Sequence, residues 1–425
     1  MLGMALKKKF WGCAGAVVAF ILANPIVSSA QYYSQVKVQG NQFLRGGDIL
    51  AACGITTDQS FSDPAVSAMR DCLMSTGQFR KVDFAPEGDT MNVVVEELNT
   101  RPGRVEVGLK YDSEAGPIGT IYFERYNLFP STFGALELTF SDEHYGMDAS
   151  LYRKDAFAGG WDAGLDLHVS ESNFDDQSFT HRRATIEPFI ARQIDDQSRV
   201  EIGLGYRSDV IRDVSFLASP HIVAEAGSRR AAYLRLSYAY EADNWGFSAK
   251  QYFFGLGSGD VVSQTQLEAE KTFALAPDNL ALTFSARGGH AASLKGEAPR
   301  ITDRFLIGGS EFRGFAPRGV GARSGADNLG GESFVVLSAE LKKEIGDLFG
   351  TNAQVGGFVD VGSAWGLTNT LGGAIDDNFE WRSAVGISLT LEIGRVPVSL
   401  YVAEPISKEP GDKEQNFGIS ISTRF

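Results

Sequence analysis

Residues 381–394 read WRSAVGISLTLEIG, and this stretch shows the pattern that decides the fold. Apolar side chains recur at every second position over most of it: Trp381, Val385, Ile387, Leu389, Leu391 and Ile393. Polar residues stand between them: Arg382, Ser388, Thr390 and Glu392. Because successive side chains of a β-strand point to opposite faces, this period of two predicts a strand with one apolar face and one polar face. A length of about 10 residues is typical of a barrel strand that crosses a membrane.

The same alternation recurs from Arg104 onward, for example in WDAGLDLHVS at 161–170. A soluble β-sandwich also alternates, so the pattern alone does not exclude one. The number of long alternating runs and the amino-terminal segment described below favour the barrel. Aromatic residues near predicted strand ends also suit the interfacial girdle of a membrane barrel: Trp161, Trp245, Trp365, Trp381 and Phe425.

Residues 103–425 have the right length for about 16 antiparallel strands, at about 20 residues for each strand with its connection. The first predicted strand is 104–112 and the last is 416–425. The stretch 210–230 has the weakest pattern. A predicted strand at 279–288 precedes an unusually long connection, 289–331, which by strand parity lies at the end of the barrel opposite residue 103. Long connections of this kind are often functional.

The amino terminus has the three parts of a secretory signal peptide. Lys7, Lys8 and Lys9 precede an apolar run at 10–22, and small residues lead up to Ala30. A retained membrane helix is the alternative, but the run is shorter than the roughly 20 residues that a helical span needs. We therefore predict that residues 1–30 are a signal peptide, cleaved after Ala30.

Residues 31–102 predict a small α+β domain with the order β-α-α-β-β. Its predicted strands are 36–39, 79–84 and 91–97. A sheet of this kind has an exposed edge to which an extended peptide can add as a further strand. After cleavage Cys53 and Cys72 are the remaining cysteines, and in an oxidising compartment they form either one disulfide or two buried free thiols.

Three short stretches of this domain resemble a POTRA domain, the polypeptide-transport-associated module of outer-membrane assembly proteins. They are VQGN at 38–41, STGQFRKVDF at 75–84 and VVVEEL at 93–98. The resemblance implies one periplasmic POTRA domain whose helices carry Cys53 and Cys72 on adjacent elements. It also implies a client-binding edge at Arg80, Val82 and Phe84.

Three further motifs resemble the outer-membrane protein assembly and translocation superfamily, with its BamA/TamA-like and bacterial surface antigen members. The loop motif is Phe312, Arg313, Gly314 and Phe315; the second barrel motif, FVDVG, includes Phe358, Asp360 and Gly362; and the terminal strand carries Phe417, Ile419, Ile421 and Phe425. In that family the loop arginine enters a 16-stranded barrel and pairs with the aspartate of the second motif. Strand parity agrees, since outward Val359 and Val361 turn Asp360 inward, and it makes Glu340 a second lumenal partner for Arg313.

The resemblance implies an outer-membrane protein that inserts, assembles or translocates other proteins. Its partners would be unfolded outer-membrane or secreted clients, outer-membrane lipid, and a periplasmic or inner-membrane accessory protein. A two-partner-secretion-type transporter and a passive porin or structural barrel are the alternatives. One POTRA domain, where the main assembly factors have several, makes an accessory role as plausible as general assembly.

The residues predict no enzyme, no cofactor and no metal site. Serine-hydrolase, zinc-protease and dinucleotide motifs are missing from the sequence, and the five histidines lack ligand spacing. A barrel phospholipase stays open, because its serine and histidine need no short motif. The acidic pairs at 175–176, 195–196 and 376–377 are expected to be solvated turn residues. A net charge of −14 argues against nucleic acid as a partner.

Overall fold

A computed structural model of the chain describes residues 32–41, 44, 46–57, 61–76, 78–97, 103–112, 116–129, 131–242, 244–275, 279–348, 350–393 and 396–421. The predicted signal peptide and Phe425 lie outside these residues. The chain divides into two compact units between Thr100 and Arg101. Within the described ranges, every helix is too short or too polar to span a lipid bilayer.

The amino-terminal unit has the predicted order β-α-α-β-β. Its elements are β1 (Gln35–Gln39), α1 (Gly46–Ala52), α2 (Asp63–Ser75), β2 (Phe79–Glu87) and β3 (Thr90–Glu97). The sheet order is β1-β3-β2, with β1 parallel and β2 antiparallel to β3. A parallel pair needs a long crossover, which the two helices supply. Strand β2 therefore lies at an edge of the sheet.

A small apolar core and one disulfide hold this unit together. Ile49 of α1, Leu73 of α2 and Val93 of β3 are buried in the same cluster. Cys53, just after α1, is bonded to Cys72 of α2, with their Cα atoms 6.0 Å apart. The disulfide therefore joins the two helices on one face of the sheet.

The second unit is a single 16-stranded antiparallel sheet in which each long strand pairs with the next along the chain. The strands are β4 (Arg104–Asp112), β5 (Gly116–Phe129), β6 (Thr132–Phe140), β7 (His144–Phe157), β8 (Trp161–Ser172), β9 (Thr180–Gln193), β10 (Ser198–Arg212), β11 (Gly227–Ala242), β12 (Trp245–Leu256), β13 (Val261–Leu275), β14 (Leu280–Lys295), β18 (Ser333–Leu348), β19 (Thr351–Trp365), β20 (Arg382–Ile393), β21 (Val396–Ser407) and β23 (Phe417–Ile421). Strands β4 and β23 lie side by side, which closes the sheet into a barrel. The predicted all-β barrel of 16 strands is confirmed.

The wall of the barrel sorts its side chains by face, as the alternation predicts. Leu341, Ile387 and Val402 face outward and are exposed, whereas Asp360 and Arg235 face the lumen and are buried. The buried lumenal charges are paired; Arg235, for example, contacts two glutamates. Outward apolar and inward polar faces are the arrangement of a membrane barrel.

Short connections lie at the end of the barrel nearest residue 103, and the long ones lie at the opposite end. The longest, residues 296–332, contains a 3₁₀ turn and three short strands. These are Gly309–Glu311, β15 (Gly314–Phe315), β16 (Ala322–Ser324) and β17 (Asp327–Gly330); the later connection contains β22 (Glu414–Gln415). Strand β14 thus extends to Lys295, and the connection begins seven residues later than the predicted 289.

The weakly patterned stretch 210–230 contains a short helix, α3 (Pro220–Glu225), between β10 and β11. The side chain of Ser219 caps it by accepting a hydrogen bond from the backbone N–H of His221, and Pro220 lies in its first turn. Ile222 anchors the helix in an apolar cluster with residues from other long connections. Tertiary packing, rather than sequence periodicity, holds this helix.

Candidate functional site

The segment 296–332 folds back into the barrel and packs against the inner wall. Phe312 and Phe315 are both 0% exposed, and their ring centroids lie 4.6 Å apart. They pack against inward residues of the wall that include Val336 and Ala384. Strand β15 also pairs with β22, so the backbone of the segment is bonded inside the lumen as well.

Arg313 and Asp360 form a bidentate ion pair at this contact. Nε of Arg313 donates to Oδ2 of Asp360 at 2.8 Å, and Nη2 donates to Oδ1 at 2.8 Å. The backbone N–H of Arg313 donates to Oδ2 as well, at 3.2 Å. Asp360 is 1% exposed. A buried fork of this kind fixes orientation in addition to charge.

Glu340 and two serines complete the shell around the guanidinium. Nη1 of Arg313 donates to Glu340 at 3.0 Å, and Ser338 bridges Arg313 and Asp360. Ser388 donates to the other oxygen of Glu340 at 2.6 Å. Burial disfavours the charged guanidinium, but the bonds and charges of the two carboxylates outweigh it and raise the pKa of Arg313 above its ordinary value.

The ring of Phe358 forms one side of the same pocket. The guanidinium carbon of Arg313 lies 3.4 Å from the ring centroid, a cation–π contact. Phe358 also meets Tyr401 edge to face, with centroids 6.2 Å apart. The structure thus brings together Phe358, Asp360 and Glu340 around Arg313; we call this set the lumenal latch.

Two glycines allow the loop to approach the wall this closely. Gly314 has φ +93°, and a Cβ there would lie 2.6 Å from Cβ of Ala384. A Cβ at Gly362 would come within 3.2 Å of the ring of Phe312. Residues with a side chain would be strained at Gly314 and crowded at both positions.

A second set of buried ion pairs, which the sequence did not predict, anchors the long connections. Asp176 was expected to be solvated, but its side chain is only 8% exposed and accepts from Arg318 at 2.9 Å. The guanidinium of Arg318 also lies 3.6 Å from the ring centroid of Phe174. Asp377 is likewise engaged, since one of its oxygens accepts from the backbone N–H of Leu367. Asp176 and Arg318 are 142 positions apart in the sequence, so no local pattern marks their contact.

Other predicted site residues lie away from the latch. Phe417 and Ile419 are on β23, where they pair with Val402 and Leu400 of β21. Val82 is a buried residue of the edge strand β2, and its carbonyl accepts from Nε of Arg70 at 3.1 Å. Arg80 is exposed and bonds Glu96. Within the described ranges, no group of three or more His, Cys, Asp or Glu residues could hold a metal ion.

Comparisons with known proteins agree on one family. Residues 132–425 match the Omp85 superfamily domain. A SAM50-like protein of Schizosaccharomyces pombe is 32% identical over 144 residues, and the alignment spans 29% of this chain and 29% of that protein.

Two solved structures share the fold. BamA from Haemophilus ducreyi lacking POTRA domains 1–3 matches 91% of this chain and 83% of its own, with a TM-score of 0.74 at 18% identity. CdiB from Acinetobacter baumannii matches 92% of this chain and 74% of its own, with a TM-score of 0.55 at 13% identity. The predicted family resemblance is confirmed: the chain belongs to the Omp85 superfamily.

Proposed function

We propose that this protein inserts, assembles or translocates other proteins at the outer membrane. The observation that carries the proposal is the lumenal latch, which holds the loop motif of 312–315 against the inner wall of an Omp85 barrel. A loop bonded against the inner wall narrows the lumen, which favours this function over a wide passive pore. A barrel that handles clients at its wall does not need an open lumen.

The place where the barrel closes is where we propose that clients engage. Strands β4 and β23 are adjacent, yet their described residues share no hydrogen-bonded register. Strand β23 pairs with β21 over five described residue pairs, whereas β18 and β19 pair along nearly their whole length. Opening here would expose backbone N–H and C=O groups that can template a client strand.

The amino-terminal unit supports a role as a single POTRA domain in the periplasm, spanning residues 31–102. Strand β2 is at a sheet edge, with exposed Arg80 at its start. A client strand would add beside Arg80 and Phe84, although Arg70 already occupies the carbonyl of Val82. A photo-crosslinker at Arg80 should capture unfolded clients, and one at exposed Lys37 on the opposite edge should not. Equal capture at both positions would refute the β2 edge.

The partners that fit this proposal are unfolded outer-membrane or secreted proteins, the lipid of the outer membrane, and a periplasmic or inner-membrane accessory protein. No cofactor, nucleotide or nucleic acid takes part in it, and no covalent chemistry is required of the protein.

Depletion of the protein tests the proposal directly. We expect the levels of folded outer-membrane barrel proteins, or of a secreted client, to fall as the protein disappears. Re-expression of the unaltered chain should restore them. Unchanged levels of all outer-membrane and secreted proteins after complete depletion would overturn the proposal.

A further inference from the structure

An apolar groove of about 580 Å³ lies on the outward face of the barrel wall, on the opposite side of the wall from the lumenal latch. It extends over strands β14, β18, β19, β20, β21 and β23, and its lining includes Leu341, Val355, Ile387 and Val402. Lys343 is the charged residue in the lining. Such a groove needs a specific cause, because the outward side chains of a membrane barrel usually form an even apolar band.

The groove exists because Gly357 interrupts a row of large side chains. In the register of the sheet, Gly357 stands directly between Leu341 of β18 and Ile387 of β20. A Cβ built on Gly357 would meet only the carbonyl oxygen of Gly386, at 4.0 Å. The missing side chain is therefore not replaced by a neighbour, and the gap between Leu341 and Ile387 stays open.

Lys343 places a positive charge next to this gap, at the next outward-facing position of β18. It follows Leu341 on the same face of β18, about 7 Å along the strand. In the register it lies between Leu280 and Val355, and it is exposed. It lies toward the end of the barrel with the short connections, where a lysine can extend its ammonium to the membrane surface. Among the described residues it has no ion-pair partner.

Over Gly357, this groove cannot take an added β-strand. Strands β18, β19 and β20 are each paired on both sides over this region, so no free backbone edge is offered to a peptide. What the groove offers is apolar contact on several sides and one cation at its end. That combination fits a molecule with a hydrocarbon chain attached to an anionic head.

We propose that this groove binds a glycerophospholipid, with one acyl chain lying over Gly357 between Leu341 and Ile387 and the phosphate bound by Lys343. The site is independent of the function proposed above. It gives the barrel one retained lipid beside the carboxyl-terminal strands, in addition to the loosely held lipids around the rest of the wall.

The test uses the full-length protein in nanodiscs that contain phosphatidylglycerol with a diazirine in one acyl chain. Irradiation of the unaltered protein should give crosslinks that map to β18, β19 and β20. Gly357→Leu fills the gap and should lower the crosslink yield at these strands about tenfold. Lys343→Gln removes the cation and should lower it about fivefold.

Gly288→Leu is the matched control. Gly288 also faces outward, in register with Val335, and a Cβ there would meet the Phe334 carbonyl at an ordinary 3.4 Å. This variant should crosslink like the unaltered protein. The proposal is overturned if Gly357→Leu crosslinks normally, or if Gly288→Leu loses as much signal.

A second probe keeps the test decisive if Gly357→Leu does not fold. Diazirine-labelled diacylglycerol has the same acyl chains but no phosphate, and it should label the unaltered protein about fivefold less than phosphatidylglycerol does. Equal labelling by the two probes, or unchanged phosphatidylglycerol labelling of Lys343→Gln, would refute phosphate binding by Lys343.

Discussion

The position of Arg313 shows how one charged side chain can determine the path of a long loop. Its side chain is only 14% exposed beside Asp360 and Glu340, which would both be left without their main counter-charge if it were removed. Breaking a buried pair by deleting one partner costs about 3 to 5 kcal/mol, far more than an exposed pair contributes. The loop is therefore held by a contact that tolerates little change.

We predict that Arg313→Ala gives a barrel that still inserts but has a mobile loop and no assembly activity. Arg313→Lys should be impaired as well, because an ammonium keeps the charge but cannot form the bidentate fork. Arg287→Ala, which removes a half-exposed pair with Glu268, is the control and should behave normally. Protease cleavage within 296–332 and outer-membrane protein levels are the measurements. Normal growth and normal levels with Arg313→Ala as the sole copy would contradict this.

Gly314 provides an independent test of the same contact. Gly314→Ala combines a left-handed backbone with a collision against Ala384, and should destabilise the docked loop by about 2 to 4 kcal/mol. Gly325→Ala has a similar positive φ but open space around it, and should cost only about 1 kcal/mol. The rate of protease cleavage in the loop, followed as the temperature rises, measures the effect of each substitution. Equal effects of the two substitutions would show that the close approach to Ala384 is unimportant.

For individual residues, the sequence predicted contacts that depend on the direction of a side chain from its strand, but not contacts between distant connections. The inward direction of Asp360 and Glu340 follows from strand parity, which any alternating strand reveals. The burial of Asp176 against Arg318 does not, since it depends on how two connections more than 100 residues apart pack together. Local patterns carry no information about such packing.

Among the structural elements, the two helices of the amino-terminal unit are stabilised by the disulfide between Cys53 and Cys72. The bridge spans 19 residues, for which the loss of unfolded-state entropy corresponds to about 3 kcal/mol. We predict that the double variant Cys53→Ser/Cys72→Ser, in the full chain, makes residues 31–102 markedly more sensitive to protease while leaving the barrel resistant. Reductant should have the same effect on the unaltered protein. Equal sensitivity with and without reductant would contradict this.

The barrel strands were predictable because lipid and lumen impose opposite requirements on alternating residues. Their ends were not, because beyond the membrane both faces of a strand meet water or other loops. This is why β14 continues to Lys295, past its predicted end at 288. It is also why α3, six residues long and held by Ile222, left no periodic pattern.

For the whole molecule, the docked loop and the packed connections predict a poorly conducting barrel. Residues of several long connections, including Phe179, Ile301 and Leu367, share one buried cluster at the end opposite the short turns. In planar bilayers the unaltered protein should show only small or brief conductance, and Arg313→Ala should open more often. A large, steady conductance of the unaltered protein, unchanged in Arg313→Ala, would favour a passive porin.

Crosslinking from the first barrel strand to a client stalled during its assembly tests whether clients engage where the barrel closes. Val107 on β4 faces outward and is highly exposed, so a photo-crosslinker there should report a client strand that adds beside β4. Leu236 on β11, outward in the middle of the wall, is the control position. We expect crosslinks between Val107 and the client, with few or none from Leu236. Absence of client crosslinks from Val107, or equal crosslinking from both positions, would contradict it.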